Sequence, residues 1–492
     1  MSDQDLAFAG VAQLGRLLRE QKVSSYELAE LFLTRLATLG PSFNAVASLT
    51  PERALAEARK ADTRLRRAGV GGAKDSGNAL LGIPYGAKDL LAARGASTTW
   101  GAPPYRDQVF AEDAAVVEKL KRAGAVLAAK LAMVELAGGG GYRYPSASLH
   151  GPGLNPWNRE YWAGGSSSGS GAAVAAGLVP WAIGSETSGS IITPASFCGV
   201  TGLRPTYGLV SRRGAMALSW TLDKLGPMAR SAEDCALALE VMAGPDRGDQ
   251  TVAGKRFRYL PALAEQLRDL RIGFAPADFE ELASPDARAG LTEGLTALRG
   301  LGAPLLERAL PADLPYGSVV STVIFAEGST SFARLIESDR FEELIDAKQK
   351  AGLRAGLAVT ARDYLDAMRV RSLIQEAFRD LFRDVNVLVS GGRGAPAGRI
   401  GEPLDIHRDP ATTDGPNGET PPRPNNASLI AAGNLAGLPA LCIPCGFSPD
   451  GLPLALQLVG PPFSENLLLS LGAWFQSQTD WHRKQPPLAV VA

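Results

Sequence analysis

The apolar positions of this chain follow one period at the start and another further on. After Ser24-Ser25-Tyr26-Glu27, a capping-box pattern, Leu28, Leu31, Phe32 and Leu36 recur at helical spacing. A second helix from about Pro51 carries Ala54, Ala58, Ala61 and Leu65, with Arg64, Arg66 and Arg67 read as its solvated end. Leu81-Gly82-Ile83-Pro84-Tyr85-Gly86-Ala87-Lys88-Asp89 then predicts a short strand with turns. Ala125 to Lys130 predicts an apolar strand after a helix over Ala114 to Arg122. Strand and helix patterns alternate through Leu178 to Ile183 and Ala440 to Pro444, which predicts an α/β fold with a mixed or parallel central sheet. Residues 250 to 390 are mostly helical in pattern, with strands at Arg271 to Ala275 and Val385 to Val389. Residues 391 to 425, rich in Gly, Pro, Asp and Asn, read as a long connection, either a lid or pocket edge or simply disordered.

Composition narrows the function classes. The chain has 492 residues, 45% hydrophobic and 21% charged, enough for a sizeable core in one large α/β domain or in two or three domains. A formal net charge of -1 supplies no basic field, so nucleic acid is not expected as a partner. The start, MSDQDLAFAGVAQLGRLLREQ, lacks the basic and apolar regions of a signal peptide, and no apolar run reaches membrane-spanning length. The expectation is a cytoplasmic protein without membrane contact. Cys198, Cys235, Cys442 and Cys445 are too scattered for a disulfide framework. Cys442-Ile443-Pro444-Cys445 has redox or zinc spacing, but a structural zinc needs two more ligands, and the context reads as a buried strand ending in a turn. Neither a metal nor an organic cofactor is expected.

Residues 164 to 171, GGSSSGSG, would suit a flexible linker, but Tyr161-Trp162-Ala163 and Ala172-Ala173-Val174-Ala175-Ala176 flank them with apolar sequence. Gly165-Ser166-Ser167-Ser168-Gly169 matches G-x-S-x-G, yet that elbow requires a preceding strand, and Asn155 to Trp162 reads as a poor one. A triad histidine would have to be His407 or His482, in a Pro/Gly-rich loop and near the C-terminus. A P-loop fails because no Lys-Ser or Lys-Thr follows the glycines. With three histidines in all, a serine nucleophile needs another base, and lysine serves when burial lowers its pKa. Lys88, at the end of an apolar segment, is the candidate; the alternative is a surface lysine paired with Asp89. A second cluster, Gly184-Ser185-Glu186-Thr187-Ser188-Gly189-Ser190-Ile191, follows a strand pattern. There, backbone N–H groups can converge on an anion, or the hydroxyls simply cap a turn.

Together, Pro84 to Asp89, Gly164 to Ala176, Gly184 to Pro194, and Phe197 to Gly208 resemble the amidase signature family, and the stretches occur in its order. Ser24 to Leu28, Gly451 to Gly460 and Asp480-Trp481-His482 are similar to it as well; residues 250 to 420 are weakly covered. The resemblance implies a mixed central β-sheet flanked by helices on both faces, a single domain over 1–492, and a more variable region at 250–425 bordering the substrate pocket. It implies a triad of Lys88, Ser166 and Ser190, the two serines 24 residues apart, with Gly165–Ser166 cis. Ser190 attacks a carbonyl, Ser166 relays its proton to neutral Lys88, and the N–H groups of Thr187, Ser188, Gly189 and Ser190 form the oxyanion hole. Ser167, Ser168 and Ser170 are then loop hydrogen-bonders and helix caps.

The chain departs from the family's Asp-x-Gly-Gly-Ser-x-Arg in having Glu186, Ser188 and Ile192, so the usual acid–arginine pair is expected to be lost. Ala137, Gly138, Gly139, Gly140 and Gly141 stand where relatives carry larger side chains and predict a roomy, mostly apolar channel. The implied substrate is a small-molecule amide, aryl or bulky, with carbamates or esters as alternatives, acted on by a monomer or homodimer. A glutaminase subunit of a tRNA-dependent amidotransferase, or a scaffold that retains the fold without catalysis, are the competing readings.

Overall fold

Short apolar runs bounded by turn residues become strands here because both of their faces are covered by helices. The computed structural model describes residues 1–68, 78–404 and 423–488. In chain order the strands are β1 (Val46–Leu49), β2 (Pro84–Lys88), β3 (Val126–Leu131), β4 (Leu154–Asn155), β5 (Asn158–Trp162), β6 (Trp181–Glu186) and β7 (Thr201–Arg204). They continue with β8 (Lys224–Ala229), β9 (Ile272–Phe274), β10 (Leu305–Glu307), β11 (Val387–Gly391), β12 (Ala440–Phe447) and β13 (Pro453–Val459). Eleven of them form one sheet in the order β1-β3-β2-β6-β8-β7-β12-β13-β11-β9-β10. The sheet is mixed: β2 runs parallel to β3 and β6, whereas β8 runs antiparallel to β6 and β7.

The period-two alternation of strands sends neighbouring side chains into two different cores. In β13, Leu454, Leu456 and Leu458 join one core, on the face that the helix Pro285–Arg299 covers, while Ala455 and Val459 join the other. Cys442 and Cys445 fall into opposite cores, so CxxC spacing does not bring the two thiols together; burial raises both thiol pKa values.

The first helices form as their sequence predicts. Ser24 caps Ser25–Thr38 through Glu27 N–H, and Glu27 returns to Ser24 N–H. Arg64 differs from its expected place in solvent: its guanidinium donates to the carbonyls of Arg122 and Ala123, which the preceding helix leaves unpaired at its C-terminus. Asn155 to Trp162 also differs from expectation, forming the β4/β5 hairpin, with Asn155 donating to Trp162 and Phe197 carbonyls. This hairpin stands apart from the central sheet, so no sheet strand enters the serine run directly. Strand β8 escapes pattern reading because it contains Gly226-Pro227; Leu203 O lies 2.0 Å from where a Cβ on Gly226 would sit. Of the 391–425 connection, residues 405–422, including His407, lie outside the described residues.

The topology positions chemistry at the C-terminal ends of two adjacent parallel strands. Lys88 ends β2 and Glu186 ends β6, with Ala87 registered against Ile183. Such strand ends are where open α/β sheets bind ligands. Asp89 anchors this edge by accepting Thr99 N–H at 2.8 Å and Lys130 Nζ at 2.9 Å, with both charged side chains fully buried. Asp89→Ala is expected to lower unfolding free energy by about 3–5 kcal/mol, because it strands the Lys130 cation. Denaturant unfolding checks this; a loss under about 1 kcal/mol contradicts it.

Candidate active site

Lys88 is fully buried, and its Nζ lies within hydrogen-bond distance of three hydroxyls: Ser166 Oγ at 2.7 Å, Ser167 Oγ at 2.9 Å and Ser185 Oγ at 2.9 Å. Asp89 turns away to Lys130, so the surface-pair alternative does not hold. Burial holds the Lys88 amine well below the usual lysine range, with Asp223 and Glu186 only partly offsetting it. Ser167 is more than the loop hydrogen-bonder or cap expected of it. Its hydroxyl donates to Ser185 C=O at 3.2 Å and its oxygen accepts Ser185 N–H at 3.2 Å, so toward Lys88 it can only accept. Ser168 and Ser170 donate to the carbonyls of Ala132 and Ile183, and neither caps a helix.

The two glycine-serine loops meet over this amine. Gly165–Ser166 is cis. Gly164 has φ +84°, and a Cβ there would come within 2.8 Å of Pro194 N, at the helix Ile192–Cys198 that follows Ser190. Ser167 N–H donates to Ser190 C=O at 3.3 Å, tying the loops directly. Gly189, at φ +88°, makes the turn before Ser190 that larger residues resist.

The expected loss of an acid–arginine pair is corrected by the structure. Glu186 Oε1 accepts Arg204 NH1 at 2.9 Å and Asn434 Nδ2 at 2.8 Å, while Oε2 accepts the N–H groups of Ile191 at 2.8 Å and Ile192 at 3.0 Å. The arginine comes from β7 instead of the nucleophile loop, and the longer Glu side chain reaches both it and the loop's own N–H groups. Burial alone would raise the Glu186 carboxyl, but Arg204, Asn434 and Ile192 N–H hold it below its ordinary value. On the other side of the loop, Thr187 Oγ1 donates to Asp223 at 2.6 Å, and Asp223 also accepts Leu218 and Ser219 N–H. Sequence reasoning gave Ser167 only a loop or cap role, named Ser185 only within the second cluster, and missed Asp223 and Asn434 as neighbours of the site.

A cavity of about 750 Å³ opens over the loops, lined by Gly165, Thr187, Ser188, Ser190 and Thr193 together with Ala137, Gly138, Tyr142, Trp162, Leu218, Ile324, Arg393 and Leu404. A smaller cavity of about 440 Å³ adjoins it across Ala137, Thr187 and Leu218 and reaches Ser185 and Asp223. Only Ala137 and Gly138 of the glycine run reach these walls. Gly139 faces Leu218 and Phe332, Gly140 seats the helix Ala347–Gly356, and Gly141 lies nearest Lys348. A Cβ on Gly352 would stand 1.8 Å from Gly140 O, so Gly140 serves close helix packing, where a channel was expected.

Arg204→Met is expected to reduce stability by about 3–5 kcal/mol, since it leaves the Glu186 charge buried without its cation. The pH dependence should change with it. The depressed Glu186 pKa contributes stability above the unfolded carboxyl range, lost as pH falls through the depressed value; the variant should lose that contribution. Denaturant unfolding across pH 3 to 8 reads both effects, and a variant curve parallel to the parent's contradicts the assignment.

The amidase family profile matches residues 27–469. The chain is 38% identical to a glutamyl-tRNA(Gln) amidotransferase subunit of Methylococcus capsulatus over 97% of this chain and 98% of that one. It is 37% identical to the same subunit from Acinetobacter baumannii, over 99% of each. Among solved structures, native peptide amidase from Stenotrophomonas maltophilia superposes with a TM-score of 0.80 at 29% identity, covering 98% of each chain. A protein complex described as revealing the origins of an s-triazine catabolic enzyme gives 0.81 at 32%, covering 95% of this chain and 98% of that one. With the profile covering most of its length, and its mixed sheet matching amidase structures, the chain belongs to the amidase signature family of amide-cleaving enzymes.

Proposed function

We propose that this hydrolase cleaves amides through an acyl-enzyme on Ser190, with Ser166 as proton relay and neutral Lys88 as base. The observation that carries the reading is the fully buried Lys88 amine with the hydroxyls of Ser166, Ser167 and Ser185 within 2.9 Å. A neutral amine has two N–H groups and one lone pair, and Ser167 must accept one N–H because its own proton is committed to Ser185 C=O. With Ser185 accepting the second N–H, the lone pair faces the Ser166 hydroxyl, 2.7 Å away.

The Ser190 proton then passes to Ser166 as the Ser166 proton passes to Lys88, and Ser190 Oγ forms its bond to the carbonyl carbon. The developing oxyanion is held by N–H groups of Thr187, Ser188, Gly189 and Ser190, in the loop that Glu186 and Asp223 brace from both sides. The same relay returns a proton to the leaving nitrogen as the C–N bond breaks. Water then adds to the acyl carbon, giving a proton to the relay, which passes it to Ser190 Oγ as the acyl–oxygen bond breaks and the acid departs.

For substrate, the proposal is an aryl or extended amide, with carbamates and esters presenting the same carbonyl. The apolar surfaces of Ala137, Trp162, Leu218, Ile324 and Leu404 support it. Ile324, Arg393 and Leu404 also support a pocket bordered by the 250–425 region, and the continuous sheet supports one domain over 1–492. The second reading, a glutaminase working within a complex, is favoured by full-length similarity to amidotransferase subunits. The described wall of the larger cavity carries the Arg393 cation, and the adjoining cavity carries the Asp223 carboxylate. A screen over anilides, aryl carbamates, primary amides and glutamine separates the two; fastest turnover on glutamine would favour the amidotransferase reading.

Ser190→Ala is expected to lose at least about 10⁴-fold in kcat while retaining the parent's unfolding midpoint. Lys88→Ala should lose about 10²–10⁴-fold at neutral pH and recover part of it in alkali, where hydroxide replaces the base. Parent activity should rise with pH through a value well below the ordinary lysine range and then level off, because only the unprotonated amine accepts a proton. Near-parent turnover by purified Ser190→Ala, or by Lys88→Ala at neutral pH, would overturn the triad. Failure of a fluorophosphonate to label Ser190 in the parent would favour the scaffold reading.

A further inference from the structure

One turn beside the nucleophile loop is gripped by two helices of the 250–425 region. Glu327, in the helix Tyr316–Ser331, accepts four hydrogen bonds. One carboxylate oxygen takes Ser219 Oγ at 2.5 Å and Thr221 N–H at 3.0 Å; the other takes Thr221 Oγ1 at 2.8 Å and Tyr364 Oη at 2.7 Å. Tyr364 comes from the helix Ala361–Asp384, whose Arg371 donates to Thr221 C=O at 3.0 Å and to Leu435 C=O at 2.7 Å. Within the turn, the N–H groups of Leu222 and Asp223 both donate to Ser219 C=O, and Ser219 is fully buried.

The same turn carries the carboxylate that holds Thr187. One oxygen of Asp223 accepts Leu218 and Ser219 N–H at 2.8 and 3.0 Å, and the other accepts Thr187 Oγ1 at 2.6 Å. Glu327 is thus joined to Thr187 through Ser219 and Asp223. A carboxylate only accepts, so four donors converging on Glu327 fix its place and that of the turn with it. Ile324, one helical turn earlier on the same face, lines the larger cavity, so this helix borders the substrate space as well. Oxyanion donors act only at about 2.7–3.1 Å from the developing charge, and a misplacement of about 1 Å caused by a distant residue costs about 10²-fold in rate.

We infer that Glu327 is a positioning residue for the reaction: by fixing the turn 218–223 it fixes Asp223, and through the bond from Thr187 to Asp223 it aims the N–H groups of the nucleophile loop at the oxygen of the scissile carbonyl. This rests on the hydrolase reading and gives the helix Tyr316–Ser331 a part in the rate as well as in the shape of the cavity. Glu327 touches neither substrate nor the reacting atoms, so its effect falls on the transition state and leaves ground-state binding largely alone.

The test measures hydrolysis of p-nitrophenyl phenylacetate, the rate of fluorophosphonate labelling of Ser190, and calorimetric binding of benzyl trifluoromethyl ketone and of the alcohol to which it reduces. Ser190 Oγ adds to the ketone carbon, its proton passes to the relay, and the ketone oxygen takes the negative charge, so ketone affinity reports the oxyanion donors. The alcohol fills the same space without forming that charge. Glu327→Gln keeps the side-chain shape but sets an amide NH₂ among donors, and should lower kcat and the labelling rate by about 10- to 100-fold with KM little changed. Ketone binding should weaken by a similar factor while alcohol binding stays at the parent value. Tyr364→Phe removes one of the four donors; it should show the same split in smaller measure and stands in if Glu327→Gln fails to fold. Parent-like kcat and labelling in Glu327→Gln, or equal losses of ketone and alcohol affinity in the folded variants, overturn the positioning role and leave the hydrolase reading intact. Absence of both turnover and label on Ser190 in the parent refutes the hydrolase reading and this inference with it.

Discussion

An amine buried away from solvent, with three hydroxyls as its polar partners among the described residues, is the constraint on which the rest of this site depends. Lys88 in solvent would be an ammonium and useless as a base at neutral pH. Burial inverts that preference, and Ser166, Ser167 and Ser185 supply hydrogen bonds without supplying a charge that would restore the cation. The carboxylates that do exert a field, Asp223 and Glu186, are each engaged elsewhere, the first by Thr187 and the second by Arg204 and Asn434. Charges near the site are thereby used to hold the backbone, and Lys88 is left free to titrate low.

This arrangement explains why the nucleophile loop tolerates losing the arginine that the family carries within it. A carboxylate at Glu186 must have a cation, since buried charge without a partner is strongly unfavourable. Which strand supplies the cation is a matter of topology. β7 lies two strands from β6 in the sheet, separated by β8, and the long Arg204 side chain crosses that distance from Thr201–Arg204. Asn434 then couples the helix Leu429–Leu435 to the same carboxylate, so the region following residues 405–422 bears on the loop that follows β6.

Much of the site is legible in the sequence because its key residues sit in short glycine-marked loops whose order and spacing are local properties. Lys88, Ser166 and Ser190 can be picked out one by one; in the structure Lys88 meets Ser166, Ser190 lines the cavity, and Ser167 N–H ties the two loops through Ser190 C=O. What cannot be read depends on distance along the chain. Asn434 lies 248 positions from Glu186, and nothing in either local pattern announces the contact. Gly140 illustrates the opposite error: a small residue next to a site reads as space for substrate, although close packing of the helix Ala347–Gly356 needs the same residue type. In the fold, β12 is clear from its apolar run, whereas β8 is obscured by Gly226 and Pro227, which local propensity assigns to turns.

The claim that Lys88 is a neutral amine in the resting protein can be measured without any substrate. Nitrogen-15 lysine NMR of the full chain follows each side-chain Nζ through a pH titration, and comparison with Lys88→Met assigns the Lys88 signal among those of the other buried lysines, Lys130 and Lys224. The account predicts a Lys88 amine already unprotonated at neutral pH, with its transition well below the ordinary lysine range. A Lys88 signal that stays in the ammonium form until about pH 10, as for an unperturbed lysine, would contradict it.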